Sequence, residues 1–201
     1  MKEIDVIKYY DNSVISTENF PSIISRDCCG GYFYKLLKLP YTTPTIGLYM
    51  DMEDFILFCC NLEEFINSEI IECKSKRKPF PVGSISCKYG TIYLYFMHYD
   101  SFSIAKEKWN CRKKRINFDN IVVICDGKKQ INIELIQAFE RIKYKKILLS
   151  SGIDLEQYHF GYNMRCYDNV NHTPNTLIKH IPNSEDIVYL DEYYWNNFFN
   201  N

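Results

Sequence analysis

The chain has 201 residues, of which 46% are hydrophobic and 24% charged, and its net charge is −1. A chain of this length buries most of its apolar surface in one large domain or two small ones, and its near-neutral balance excludes any global pull toward nucleic acid or anionic lipid. No run approaches the ~20 apolar residues of a membrane helix and MKEIDVIKYYDNS has no signal-peptide core. The protein is therefore expected in the cytoplasm, with its nine cysteines reduced and mostly buried.

The first legible stretch is SIISRDCCGGYFYKLLKLPY (residues 22–41), which reads as strand, tight turn and helix. TPTIGLYM (43–50) reads as a short buried strand. DMEDFILFCCNLEEFINS (51–68) reads as one helix started by Asp51, with Glu53 and Asp54 favoured electrostatically in its first turn and Cys59 and Cys60 in packing roles. A basic, proline-punctuated loop follows, KSKRKPFPVG, and then a hairpin turning at Tyr89 and Gly90. The helix from Ser101 places Ile104, Ala105, Trp109 and Ile116 on one face and ends in the cations Arg112 to Arg115.

NIVVIC (120–125) and KKILLSS (145–151) read as buried strands flanking a helix over residues 132–142. Strands without alternation, interleaved with helices, predict a three-layer α/β/α fold with a largely parallel sheet, plus the hairpin. Residues 23–25, 45–48, 120–125 and 146–149 are its expected central strands. From Gly152 the pattern loosens into a loop-rich carboxyl-terminal region with an aromatic terminal helix in LDEYYWNNFFNN. The expected organisation is one domain, 1–201, with a core over about 21–150 and an extension over 151–201.

Cys28 stands where strand gives way to helix, at the crevice in which open α/β sheets bind ligands. A helix amino terminus stabilises a thiolate. Gly30 and Gly31 let the backbone approach a substrate and can aim amides at an oxyanion, by analogy with the elbow of serine hydrolases. The same residues also read as a small buried thiol and two glycines that permit close helix packing, and an anion-binding turn needs only backbone amides. As a base, His98 in FMHYD ends a core strand toward the same crevice, with Asp100 to orient it; a lone His there reads equally as a structural group.

Four successive cations span about 300° of a helix and cannot share one face. Arg112, three residues after Trp109, and Arg115, four after Cys111, put at least one guanidinium beside the apolar side, where it wants a carboxylate or phosphate; the plain alternative is a solvated run that complements the helix dipole. Asn117 is a further candidate for substrate contact, although Asn117 and Asn120 also suit capping of the next turn. No GxGxxG, Walker loop, DxD or Cys/His zinc spacing occurs, and no metal site is expected.

In order and spacing, SRDCCGGYFYKLLKLPYTTPTIGLYM, EDFILFCCNLEEFI, FPVG, FMHYDSFSIAKEKWNCRKKRINFDNIVVI and FERIKYKKILL resemble the DUF1919 family of uncharacterised bacterial proteins. That family usually carries Asn-Asn-Cys-Trp-Gly-Gly at the first turn. Here Arg26, Asp27 and Cys29 stand in place of the two Asn and the Trp, while Cys28, Gly30 and Gly31 match. Members are often described as exopolysaccharide or capsule biosynthesis proteins, so the resemblance implies a carbohydrate or activated-sugar substrate and association with polysaccharide assembly machinery. The expected activity is acyl transfer through Cys28, with His98 and Asp100 as base and orienter and a coenzyme A thioester as donor. The alternatives are metal-independent glycosyl transfer from a sugar nucleotide gripped by Arg112 and Arg115, and a non-catalytic scaffold role.

Overall fold

The computed structural model describes residues 18–73, 78–127, 131–150, 152–163, 179–180, 188–189 and 198–199. In chain order the elements are β1 (Ser22–Ser25), α1 (Cys29–Leu36), α2 (Met52–Cys60), α3 (Leu62–Asn67), β2 (Ile70–Cys73), β3 (Val82–Cys87), β4 (Gly90–Tyr95), α4 (Phe102–Lys113), β5 (Ile121–Asp126), α5 (Ile133–Glu140), β6 (Lys145–Ser150), β7 (Gly161–Asn163), β8 (Lys179–His180) and β9 (Val188–Tyr189). β1, β5, β6 and β7 form a parallel sheet in that order. β1 and β5 are buried at every position, as strands covered on both faces must be.

Alternate residues feed two cores. Ile23, Val122, Ile124, Ile147 and Leu149 pack on Phe33 and Tyr34 of α1. Ile24, Ile121, Val123, Cys125 and Leu148 face the larger core built with α2, α3, α4 and α5. This is the mixed, layered α/β architecture that the uninterrupted apolar strands predict. A separate antiparallel sheet, β2-β3-β4, contributes Ile70, Ile85, Ile92 and Leu94 to the larger core. Its hairpin turns at Tyr89 and Gly90, where Gly90 adopts φ 138°.

Several elements differ from the sequence reading. Residues 43–50 form no strand of the parallel sheet. They run along the outer edge of β1, whose outward N–H groups are received by hydroxyls: Ile23 donates to Tyr34 Oη (2.8 Å) and Ser25 to Thr45 Oγ1 (3.2 Å). Pro44 lacks an N–H and Gly47 takes φ 75°, so this stretch cannot sustain a ladder. Tyr49 forms a bridge, exchanging two 3.0 Å backbone bonds with Tyr95, and the Met50 N–H donates to the Arg26 carbonyl (3.0 Å).

The expected single helix over 51–68 breaks at Asn61 (φ −131°) into α2 and α3; the Asn61 side chain donates to the Leu57 carbonyl (3.1 Å), competing with the helical ladder. Asp51 does not cap α2, because its carboxylate accepts the Tyr95 hydroxyl (3.0 Å). On α4, Ala105 and Trp109 are buried but Ile104 is exposed. Strands β2 and β7 arise in stretches with no strand pattern. Cys29, Cys59 and Cys125 are buried, yet Cys60 and Cys111 are exposed, so the thiols are less uniformly internal than expected. Phe198 and Phe199 pack against the α1-side core; the rest of the expected terminal helix lies outside the described residues. Among the described residues no helix is long and apolar enough to cross a membrane.

Candidate functional site

The parallel strands β1, β5 and β6 end at one edge of the sheet, which brings the residues at and just past their ends side by side. Arg26, Asp27 and Cys28 follow β1, Asp126 closes β5, and Ser150 closes β6. Asp27 Oδ1 accepts the Cys29 N–H (3.0 Å) and so caps the first turn of α1, a short acidic residue doing what such residues do at helix starts. Cys28 is half-buried, and the Gly47 backbone lies near enough to its sulfur to favour the thiolate. Burial and the Asp27 carboxylate push the Cys28 thiol up to about 11, the Gly47 backbone opposing them. The expected thiolate-stabilising environment is thus reversed, since desolvation and a like charge outweigh what donor groups supply.

Gly47 ties the site together. Its carbonyl accepts the His98 N–H (3.1 Å), and a Cβ on it would stand 3.0 Å from the Tyr99 ring. One residue earlier, the Ile46 carbonyl accepts the Tyr99 hydroxyl (2.7 Å) and, at 3.5 Å, the Arg112 guanidinium. Arg112 also donates to Tyr99 Oη (2.6 Å) and lies over the Tyr41 ring, 5.0 Å from its centroid. Burial raises the Tyr99 hydroxyl while Arg112 opposes it, and the Cys28 sulfur lies close enough to add to the rise. Arg112 is half-buried and forms no ion pair among the described residues. Cys28, Gly47, Tyr99, Arg112 and Tyr41 are therefore one contiguous cluster.

The other expected site residues divide. His98 touches the cluster through its backbone, but its imidazole is exposed and makes no hydrogen bond to Cys28 or Asp100, which is itself exposed. The triad-like arrangement is not assembled, because β4 stops at Tyr95 and His98 falls in the following turn. Gly30 faces β1: a Cβ there would lie 2.6 Å from Ser25 Oγ and 2.9 Å from Ile23 Cγ2. The Gly31 N–H donates to the Cys28 carbonyl (3.1 Å) and so serves the helix turn instead of an oxyanion. Arg115 is exposed and reaches the Tyr41 carbonyl (3.3 Å). The Asn117 N–H donates to Ser22 Oγ (2.9 Å) and its side chain accepts from Asp119. That places Asn117 at the amino end of β1, about 10 Å of strand away from the Cys28 end, in the capping role.

Comparison with known families decides the wider question: the family model described as a domain of unknown function, DUF1919, matches residues 4–200. The chain belongs to the DUF1919 family. The match takes in the stretch beyond Ser150 as well as the five segments that carry the resemblance. A protein of Haemophilus influenzae described only as uncharacterized is 23% identical over 150 residues, covering 75% of this chain and 70% of its own.

In this DUF1919 member, sequence reasoning missed Tyr99, Gly47, Arg26 and Asp126. Tyr99 sits between two residues that were singled out, and nothing in FMHYD marks it above its neighbours. Gly47 carried a signal, a glycine inside an apparent strand, which often marks a close backbone approach. Arg26 and Asp126 are buried charges, and burial of one charged residue at a strand end has no periodic signature.

Proposed function

We propose that this protein is a transferase acting on precursors of bacterial surface polysaccharide, with a phosphate-bearing donor gripped by Arg112 at the carboxyl end of β1. The observation that carries the reading is the half-buried Arg112 guanidinium, stacked on Tyr41, hydrogen-bonded to Tyr99 and without a carboxylate partner among the described residues. A planar fork held in this way is pre-organised for phosphate. The pathway rests on the description often given to members of the family. Sugar transfer from a nucleotide donor, without metal, stands first, with His98 or Asp100, exposed beside Gly47, as the base for the acceptor hydroxyl. Acyl transfer from a coenzyme A thioester stands second; the position of the Cys28 sulfur at the elbow favours it, and the raised thiol opposes it.

The test is thermal unfolding with coenzyme A and, separately, with uridine diphosphate glucose. A ligand present at a hundredfold excess over its Kd stabilises the native state by about 2.7 kcal/mol, and whichever compound raises the midpoint identifies the donor class. Arg112→Lys is expected to weaken that binding about tenfold, because a point charge cannot reproduce a two-pronged contact. Lys114→Ala is expected to leave it unchanged. Equal small effects at both positions would reduce Arg112 to a solvated cation and remove the basis of the reading.

A further inference from the structure

A second cation lies at the same end of the parallel sheet, and the donor grip does not use it. Arg26 directly follows β1 and is only 8% exposed, yet among the described residues its side chain makes a single hydrogen bond, from Nη1 to the Met50 carbonyl at 3.4 Å. Its Nε is buried with no hydrogen-bond partner, and Arg26 takes part in no ion pair among the described residues. A guanidinium carries five donors, and burying a charge without a partner costs several kcal/mol. A folded protein keeps such a group where something supplies the missing acceptors.

The surroundings indicate what that something is. Met50, which receives Nη1, precedes the first residue of α2 by two positions, and Asp51 leaves the first turn of α2 without a side-chain cap because its carboxylate is engaged by Tyr95. The Cys125 thiol contacts Met52 at 3.3 Å and senses both Arg26 and the carboxylates of Asp126 and Asp27. The guanidinium fork and the first turn of α2, which has no side-chain cap from Asp51 and carries Glu53 and Asp54, therefore lie close together.

We propose that Arg26 is an oxyanion subsite, distinct from Arg112, that takes a carboxylate or phosphate group of the substrate. Both groups offer the two-oxygen face that a guanidinium matches. The subsite makes the protein selective for an anionic sugar, either an acidic sugar bearing a ring carboxylate or a sugar phosphate. The reading stands apart from the donor grip, and its test separates the two.

The full-length protein is titrated with inorganic phosphate and, separately, with glucuronate, while the Arg26 Nε–H resonance is followed by nitrogen-15 NMR; the resonance is assigned by its loss in Arg26→Lys. The expected result is a saturable shift with at least one anion, phosphate alone pointing to a phosphorylated sugar and glucuronate alone to an acidic one. Arg112→Met should leave that shift in place. Arg26→Met should weaken anion binding about 10- to 100-fold and raise the melting midpoint without anion, since it removes an unpaired buried charge. An Nε–H resonance indifferent to both anions overturns the proposal. So does an Arg26→Met protein that is less stable yet binds the anion as tightly as the wild type.

Discussion

At the scale of single residues, Cys28 is held as a thiol, and that has a kinetic signature. A pKa pushed up to about 11 cuts the thiolate fraction at neutral pH, and the greater intrinsic nucleophilicity of a basic thiolate recovers only part of the loss. Alkylation by iodoacetamide at pH 7 should run about tenfold slower than for an ordinary cysteine, and climb steeply up to pH 10. Asp27→Asn keeps the oxygen that caps Cys29 but removes the charge that raises the thiol, so it should speed the reaction. An unchanged rate would mean that burial alone controls Cys28. In stability, the raised thiol favours the native state below the ordinary thiol range, and that contribution is lost as pH rises through about 11. The two glycines beside it separate just as sharply. Gly30→Ala drives a Cβ to 2.6 Å from Ser25 Oγ, which is itself fixed on the Asp27 carbonyl (2.7 Å), and should cost about 1–3 kcal/mol in urea unfolding. Gly31→Ala meets only Ile46 at 3.6 Å and should stabilise the protein by about 0.5–1 kcal/mol through helix propensity.

At the scale of elements, Tyr34 of α1 and Thr45 of the segment over residues 43–50 do through side chains the work that a neighbouring strand would have done. Tyr34→Phe removes the hydroxyl that accepts the Ile23 N–H and that also bonds to the Pro21 carbonyl (3.1 Å). It leaves a buried backbone donor unmet, and a loss of about 1–3 kcal/mol is expected; near-zero loss would show that another acceptor takes its place. The same segment explains which elements were legible. β5, β6, α4 and α5 stood out because apolar runs and capping residues such as Ser101 and Asn132, each accepting a backbone N–H of its helix, act locally. TPTIGLYM has the composition of a strand, and its conformation is set instead by Pro44, by Gly47 and by bonds to the backbone of β1 and Arg26, 20 or more residues away in sequence, which no local pattern reports.

At the scale of the whole molecule, the layered parallel sheet could be read from uninterrupted apolar runs because both of its faces are covered by a core. The candidate site could be read only in part. Cys28 and Arg112 were found through turn chemistry and helix geometry. Their grouping with Tyr99 and Tyr41 depends on how the turn after β4 meets the end of α4, and that is a matter of tertiary packing. His98 and Asp100 were chosen by residue type and face solvent. Asn117 sits at the opposite end of β1, a separation invisible without the strand direction.

The hydroxyls along β1 carry one more consequence, for how molecules meet one another. β1 ends the parallel sheet among the described residues, and an end strand is normally a template on which a neighbouring chain can add. Here both outward donors of β1 are already taken, by Tyr34 and Thr45, so an incoming strand would find no donor to pair with. Guarding of this kind joins cover by residues 43–50 to two oxygen acceptors, and uses no charged or bulged strand. Combining Tyr34→Phe with Thr45→Val should therefore do more than lower stability: it frees the edge, and concentrated samples should form higher-order species by light scattering, whereas an equally destabilising core change such as Leu148→Ala, kept below its unfolding midpoint, should stay dispersed.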